Sequence, residues 1–143
     1  RYILRNKNFN DWVNLHILYK DVLKFMEKYR NENKLFIATL KDAKSINILL
    51  DSVNFNFNVE KIFDSKKITS KINGLNLIRE KYNINIKNMF FIDDNIDHLI
   101  KPHSSGYKTF LANWCNPLDD FSAKAKKNNI KIINNIRECL AYV

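Results

Sequence analysis

Cysteines and long apolar runs are both scarce in this sequence, and their scarcity argues against several classes of protein. Only two of the 143 residues are cysteines, Cys115 and Cys139, and their spacing matches no metal-binding or redox motif. We therefore expect reduced thiols in a cytoplasmic protein. The three histidines complete no zinc-binding pattern with them. No apolar run approaches the roughly 20 residues of a membrane span, and no signal peptide opens the chain, so no membrane partner is expected.

The chain also shows no internal repeat, linker or low-complexity segment. With 45% hydrophobic and 27% charged residues, it has the composition of one globular domain. The net charge of +9 favours a nucleic-acid-binding interpretation. The lysines, however, are spread along the chain, and we interpret the densest group as a solvated face. That group comprises Lys124, Lys126, Lys127 and Lys131.

Short apolar runs alternate along the chain with segments of helical periodicity. Such alternation predicts βαβ units, and hence a three-layer α/β/α sandwich with a mainly parallel, Rossmann-like sheet. A helix is expected from Asp11 to about Tyr29, with Asn10 or Asp11 as its N-cap. The other predicted helices cover about 44–52, 71–82, a short segment through Leu99, 119–127 and 135–141. The predicted strands cover 1–4, 34–39, 59–63, 89–92, 107–111 and 130–133.

The most informative stretch is Met89-Phe90-Phe91-Ile92-Asp93-Asp94-Asn95. Four consecutive apolar residues predict a strand that is buried on both faces, and this strand ends on two carboxylates. Two adjacent buried carboxylates are costly unless a cation lies beside them. Ligands bind at the carboxyl ends of strands in open α/β sheets, and Mg²⁺ prefers oxygen ligands. The pattern therefore favours a Mg²⁺ site, although Asp94 as a cap of the next helix is the alternative.

Two further polar residues lie near the carboxyl ends of predicted strands. Thr39 ends one strand, and Lys71 opens the helix that follows another. In a parallel sheet these ends meet at one edge. There a hydroxyl and an ammonium group hold phosphoryl oxygens, while a metal ion neutralises charge on the transferring group. Seen alone, Thr39 is typical of a strand end, and Lys66 and Lys67 are alternatives to Lys71.

In these three segments the chain resembles the haloacid dehalogenase (HAD) superfamily of Mg²⁺-dependent phosphatases that use an aspartate nucleophile. Leu35-Phe36-Ile37-Ala38-Thr39 resembles its second motif, Ser70-Lys71-Ile72 its third, and Phe91-Ile92-Asp93-Asp94-Asn95 its fourth. The Asp-Asp-Asn form is similar to the capless branch, which includes magnesium-dependent phosphatases and the phosphatase domain of polynucleotide kinases. The resemblance covers roughly 18–111.

The resemblance implies one HAD-like domain over 1–143 without a cap domain, and hydrolysis of phosphoesters through an aspartyl-phosphate. It assigns Thr39 and Lys71 to phosphate binding, and Asp94 with Asp93 to the cofactor Mg²⁺. A capless site is open, so the implied partner is a phosphorylated small molecule, protein or nucleic-acid end. His98 stands where the family often has Asp or Asn beside the metal. Two alternatives are therefore open: His98 lies near the metal, or it is simply exposed to solvent.

The first motif of the family, Asp-x-Asp-x-Thr, has no counterpart in this chain. In the family, its first aspartate attacks phosphorus and its second protonates the leaving group. If residues 2–4 form the corresponding strand, Arg5 and Lys7 stand where the two aspartates are expected, and neither can form an acyl phosphate. Asp11 is the nearest acid and is typical of a helix cap. No catalytic nucleophile is therefore identified.

Two interpretations of this departure are open. In the first, the nucleophile strand lies upstream of Arg1, and the sequence, which does not begin with Met, is a fragment of an enzyme. In the second, the protein is an inactive binding or scaffold module in which Arg5 and Lys7 lie beside Asp93 and Asp94 and replace the metal. A basic nucleic-acid-binding module is a third interpretation, which the retained motifs fit less well.

Overall fold

The described part of the chain forms two small parallel β-sheets with helices between successive strands. The computed structural model describes residues 5, 7–30, 34–115 and 118–142. One sheet has two strands and the other has three, in the order β3-β4-β5, and every pairing is parallel. The strands are β1 (Ile37–Ala38), β2 (Ile62–Phe63), β3 (Phe90–Asp93), β4 (Lys108–Ala112) and β5 (Lys131–Ile133).

Helices connect each strand to the next, as parallel pairing requires. The α-helices are α1 (Phe9–Asn14), α2 (Lys20–Tyr29), α3 (Ala43–Asp51), α4 (Lys71–Lys81), α5 (Ile96–Ser104) and α6 (Asp119–Lys127). Segments of 3₁₀-helix cover Val59–Lys61, Ile86–Asn88, Asn113–Cys115 and Ile136–Tyr142. The side chains of Asp42, Ser70 and Asn95 accept backbone hydrogen bonds at the starts of α3, α4 and α5. These polar caps fix where each of the three helices begins after its strand.

One hydrophobic cluster joins the two sheets. It contains Phe63 of β2, Phe91 of β3, Leu75 and Ile78 of α4, and Leu99 of α5, all at most 9% exposed. Helix α4 packs closely because Gly74 has no side chain: a Cβ there would lie 3.0 Å from the Ile68 side chain. The two sheets are therefore held together by packing on shared helices.

The prediction of a mixed α/β fold with parallel strands is confirmed. The expected single sheet is not what the described residues form, because β1 and β3 are not hydrogen-bonded to each other. Each of these strands pairs on one side only within the described part of the chain. The strand predicted at 1–4 lies outside the described residues. None of the helices described has both the length and the apolar character needed to cross a bilayer.

The prediction of one long helix from Asp11 to about Tyr29 is wrong. Two helices occupy this region, and α1 begins after Asn8, whose side chain accepts the Asp11 backbone N–H at 3.3 Å. The residues between α1 and α2 are not helical, and Leu15 there is 69% exposed. The helical spacing of apolar residues thus continues through a segment that is not helical. No glycine or proline in this segment indicates the interruption. The tertiary packing of α2 overrides the local periodicity.

Other predicted elements exist but have different bounds. The strand expected at 34–39 is only two residues long and half-buried, and the first part of 59–63 is 3₁₀-helix. The last predicted helix is a 3₁₀-helix. Strand β3 includes Asp93, and its apolar residues Phe90 and Ile92 are only half-buried, so it is not covered completely on both faces. In contrast, the helix predicted at 119–127 has these bounds in the structure.

Candidate functional site

A cavity of about 520 Å³ lies at the carboxyl ends of β1 and β3. All four residues predicted to form the site, Thr39, Lys71, Asp93 and Asp94, line this cavity. The remaining lining residues are Leu40, Lys41, Asn95, His98, Cys115, Leu118 and Phe121. The volume lies within the range of about 300–1,000 Å³ that is typical of small-ligand pockets. The structure therefore brings together residues that are far apart in the sequence.

Lys71 connects the ends of the two sheets. Its Nζ donates to the Ala38 carbonyl oxygen at 2.7 Å and lies 3.1 Å from Asp93 Oδ2. The Thr39 N–H bonds to Phe63 of β2, so the Ala38 carbonyl, one residue earlier, points to the opposite edge of β1. The ammonium group therefore lies between the end of β3 and the edge of β1 that has no partner strand among the described residues.

Asp93 is a buried carboxylate whose two oxygens both have partners. Its side chain is 8% exposed, and Oδ2 faces Lys71. Oδ1 accepts the Asn95 backbone N–H at 2.9 Å and lies 3.0 Å from Nδ1 of His98. A cation and several hydrogen bonds compensate the cost of burying this charge. His98, whose role the sequence leaves open, is therefore a direct neighbour of Asp93 in the cavity wall.

Asp94 has a different environment although it is the next residue. It is exposed and, among the described residues, its carboxylate forms no hydrogen bond or ion pair. The cap of α5 is Asn95, which accepts the Asp97 backbone N–H at 3.0 Å. The explanation of Asp94 as a helix cap is therefore wrong, and Asp94 instead lines the cavity.

The carboxylates fit a Mg²⁺ ion only in part. Asp94 is available as an oxygen ligand, whereas the oxygens of Asp93 already face Lys71 and His98. Within the described ranges, no group of three His, Cys, Asp or Glu side chains is placed to hold a metal ion. Mg²⁺ is often bound by one or two carboxylates together with waters and substrate phosphate oxygens. Asp94 would therefore be one ligand of such an ion, and further ligands would have to come from water or substrate.

The Thr39 side chain faces the same cavity. Its Oγ1 accepts the Lys41 backbone N–H at 3.1 Å, which leaves the hydroxyl proton available for another acceptor. The two alternatives to Lys71 lie elsewhere, since neither Lys66 nor Lys67 lines the cavity. Lys67 Nζ instead donates to the Ile62 carbonyl oxygen at 2.8 Å.

Arg5 takes part in a second buried ion pair. Its Nη1 lies 3.1 Å from Asp42 Oδ1 and 2.6 Å from Ser45 Oγ. Asp42 caps α3 by accepting the Ser45 backbone N–H at 3.0 Å. Burial alone would raise the pKa of Asp42, but the hydrogen bonds from Ser45 and the Arg5 charge lower it to about 2. Among the described residues, no ion pair joins Arg5 or the exposed Lys7 to the aspartates of the cavity.

Sequence reasoning missed several residues of the cavity wall. Cys115 follows β4, so the argument that strand ends share an edge applies to it as well. Burial and the negative charge of Asp94 raise the pKa of the Cys115 thiol. Burial and the neighbouring Cys115 raise the pKa of Tyr19. Both cysteines of the chain are free thiols.

Comparison with protein-family models, with curated proteins and with solved structures finds no match for this chain.

Proposed function

We propose that this chain forms the phosphate- and metal-binding part of a HAD-like, Mg²⁺-dependent phosphoester hydrolase without a cap domain. The observation that carries the proposal is the position of Lys71, which lies between the ends of β1 and β3 and lines a cavity with Thr39 and two aspartates. An ammonium group, a hydroxyl and carboxylates around one cavity match the needs of a phosphate ester and its cation.

Each residue has a distinct role in this proposal. The Lys71 ammonium and the Thr39 hydroxyl donate to phosphoryl oxygens at the bottom of the cavity. Asp94 binds Mg²⁺ directly, because its oxygens have no other described partner. Asp93 orients Lys71 and His98 and does not bind the metal directly. When bound, Mg²⁺ supplies positive charge that stabilises the transferring phosphoryl group.

The nucleophile is the missing part. In the described ranges, the aspartates that line the cavity are Asp93 and Asp94, and both already have roles. The proposal therefore needs a nucleophile that the described ranges do not supply. Within those ranges β1 and β3 each have one unpaired edge, and a further strand between them would join both sheets into the single sheet of a three-layer α/β/α sandwich.

A second candidate is a catalytically inactive binding or scaffold module. The Lys71–Asp93 ion pair favours it, because this pair compensates the buried carboxylate without a metal ion. The cation beside Asp93 is Lys71, whereas Arg5 pairs with Asp42. In this alternative the cavity binds a phosphorylated ligand and does not hydrolyse it.

The proposed function is tested by thermal unfolding with Mg²⁺ and inorganic phosphate. Each ligand at about ten times its dissociation constant stabilises the native state by about 1.4 kcal/mol, so the two together contribute about 2.8 kcal/mol and raise Tm by about 9 °C. Asp94→Asn removes the direct metal ligand and abolishes the Mg²⁺-dependent part of this shift. Asp97→Asn is the matched control, since Asp97 is exposed and lies on α5 outside the cavity lining.

The same experiment identifies outcomes that contradict the proposal. A Tm that does not respond to Mg²⁺ and phosphate, or an equal response in Asp94→Asn, shows that the cavity is not the proposed site. The present chain should show no turnover of phosphate esters, whereas a chain extended at its N-terminus by an Asp-x-Asp-x-Thr strand should. Turnover by the present chain that disappears in Asp94→Asn would show that a nucleophile lies within these 143 residues.

A further inference from the structure

The cavity is lined by apolar as well as charged residues. Leu40, Leu118 and Phe121 line it together with Lys71 and Asp94. Leu40 follows β1, Leu118 precedes α6, and Phe121 lies within α6. Three apolar residues from two separate parts of the chain therefore line the same cavity as the charged groups near the strand ends.

The two leucines are unusually exposed for such large apolar side chains. Leu40 is 48% exposed and Leu118 is 66% exposed. Single exposed leucines are common and need no explanation. Here, however, two of them line the same cavity as Lys71, so a ligand held by its charged end at Lys71 has apolar surface within the same cavity. Because apolar and charged residues line one cavity, the ligand that covers the leucines should itself carry an apolar and a charged group.

We propose that the cavity takes a phosphate monoester of an apolar alcohol, with the aryl or alkyl group lying against Leu40, Leu118 and Phe121. This inference rests on the proposed function, because the phosphate occupies the end assigned there to Lys71 and Asp94. A polyol phosphate fits less well. Its hydroxyl groups would lie against leucine side chains, which offer them no hydrogen bonds in place of water.

The expected gain in affinity follows from the apolar area that such a group covers. Burial of about 60 Å² of apolar surface, at about 25 cal/mol per Å², corresponds to roughly a tenfold increase in affinity. The cavity of about 520 Å³ has room for a phosphate group with an attached ring. Leu40 and Leu118 are thus specificity-determining residues, whereas Lys71 and Asp94 provide affinity for any phosphate.

The test is calorimetric titration of the protein, in Mg²⁺, with phenyl phosphate, butyl phosphate, glycerol 3-phosphate and inorganic phosphate. We expect phenyl or butyl phosphate to bind about tenfold more tightly than glycerol 3-phosphate, which carries a similar charge. In the double variant Leu40→Ser/Leu118→Ser this preference falls below about threefold. Leu15→Ser is the matched control, because Leu15 is 69% exposed but does not line the cavity.

Three results overturn the inference, and they are distinguishable from failure of the proposed function. The first is equal binding of all the esters by the native protein. The second is a preference that survives in the double variant. The third is a dimer in sedimentation equilibrium that the double variant loses, since the leucines would then contact a second copy. If inorganic phosphate does not bind either, the proposed function fails together with this inference; if it binds while the esters are not discriminated, only this inference fails.

Discussion

Asp42 and Asp93 invite comparison because each is a largely buried carboxylate near the carboxyl end of a parallel strand. Their side chains are 14% and 8% exposed, and each has a cation at 3.1 Å, Arg5 in one case and Lys71 in the other. From the sequence, both are acids that follow an apolar run. The two residues differ in what their other hydrogen bonds hold in place.

Asp42 acts mainly on its own helix. Its carboxylate accepts hydrogen bonds from both the backbone N–H and the hydroxyl of Ser45. These hydrogen bonds cap the N-terminus of α3. The cavity beside it measures only about 100 Å³. Asp93 leaves the capping of α5 to Asn95, and its side-chain partners come from α4 and α5. A buried ion pair therefore does not identify a functional site by itself; the informative case is the carboxylate that no helix cap requires.

The largest expected effect concerns the Lys71–Asp93 pair. Asp93→Asn keeps the shape of the side chain but leaves the Lys71 ammonium, 11% exposed, without its counter-charge. Breaking a buried pair in this way should lower the free energy of unfolding by about 3 kcal/mol, measured by urea denaturation at pH 7. Asp94→Asn, the exposed neighbour, should change it by less than about 0.5 kcal/mol.

A double variant separates the charge from the packing at this position. Lys71→Met/Asp93→Asn removes both charges and should recover most of the stability that the single variant loses. If Asp93→Asn alone is as stable as the native protein, the Lys71–Asp93 ion pair does not stabilise the fold as we expect.

Asp42 should show the second-largest effect and a distinct pH dependence. Asp42→Ala removes the cap and the partner of Arg5, which should destabilise the protein by about 2 kcal/mol at pH 7. The folded-state pKa is lowered to about 2, so the contribution is complete above the unfolded-state pKa of about 4. It disappears as pH falls from about 4 to about 2. Urea unfolding of the native protein and the variant at pH 7, 4 and 2 measures the difference in their free energies of unfolding. If this difference does not change with pH, the contribution of Asp42 comes from packing and not from its charge.

Arg5 and Lys7 should behave differently although they are near neighbours in the sequence. Arg5→Met removes the contacts with Asp42 and Ser45 and should cost about 1 kcal/mol. Lys7→Met, at an exposed position, should stay within about 0.5 kcal/mol. The pKa of Asp42, followed by NMR titration, should rise in Arg5→Met and stay unchanged in Lys7→Met. Equal effects of the two variants would contradict the described position of Arg5.

The smallest effect is a change in thiol reactivity at the cavity. The charge of Asp94, second to burial, raises the pKa of Cys115. Asp94→Asn should therefore lower this pKa and accelerate alkylation by iodoacetamide at pH 8 by less than about tenfold. The buried Cys139, whose pKa is raised to about 11 by burial, serves as an internal reference that stays unlabelled. An unchanged rate at Cys115 would place Asp94 too far away to act on the thiol.

Local patterns predicted the parts of the site that depend on neighbours in the chain. The apolar run before Asp93 predicts a strand that ends there, and helical spacing of apolar residues predicts a helix that begins at Lys71. The rule that parallel strands end at one edge then places Thr39, Lys71 and both aspartates together, and the cavity confirms this placement. Hydrogen bonding and side-chain periodicity act over a few residues, so the sequence carries these signals directly.

Only the tertiary structure decided which partners those residues meet. The sequence could not show that Arg5 contacts Asp42, 37 residues away, or that Lys71 contacts the Ala38 carbonyl, 33 residues away. Nor could it show that the helix is interrupted at Leu15, or that β1 and β3 pair on one side only in the part of the chain that the structure describes. Such contacts depend on how helices and sheets pack over long sequence separations. The sequence by itself therefore determined which polar groups lie near the strand ends, whereas packing determined the lengths of the strands, which of these groups are paired with each other, and which line the cavity.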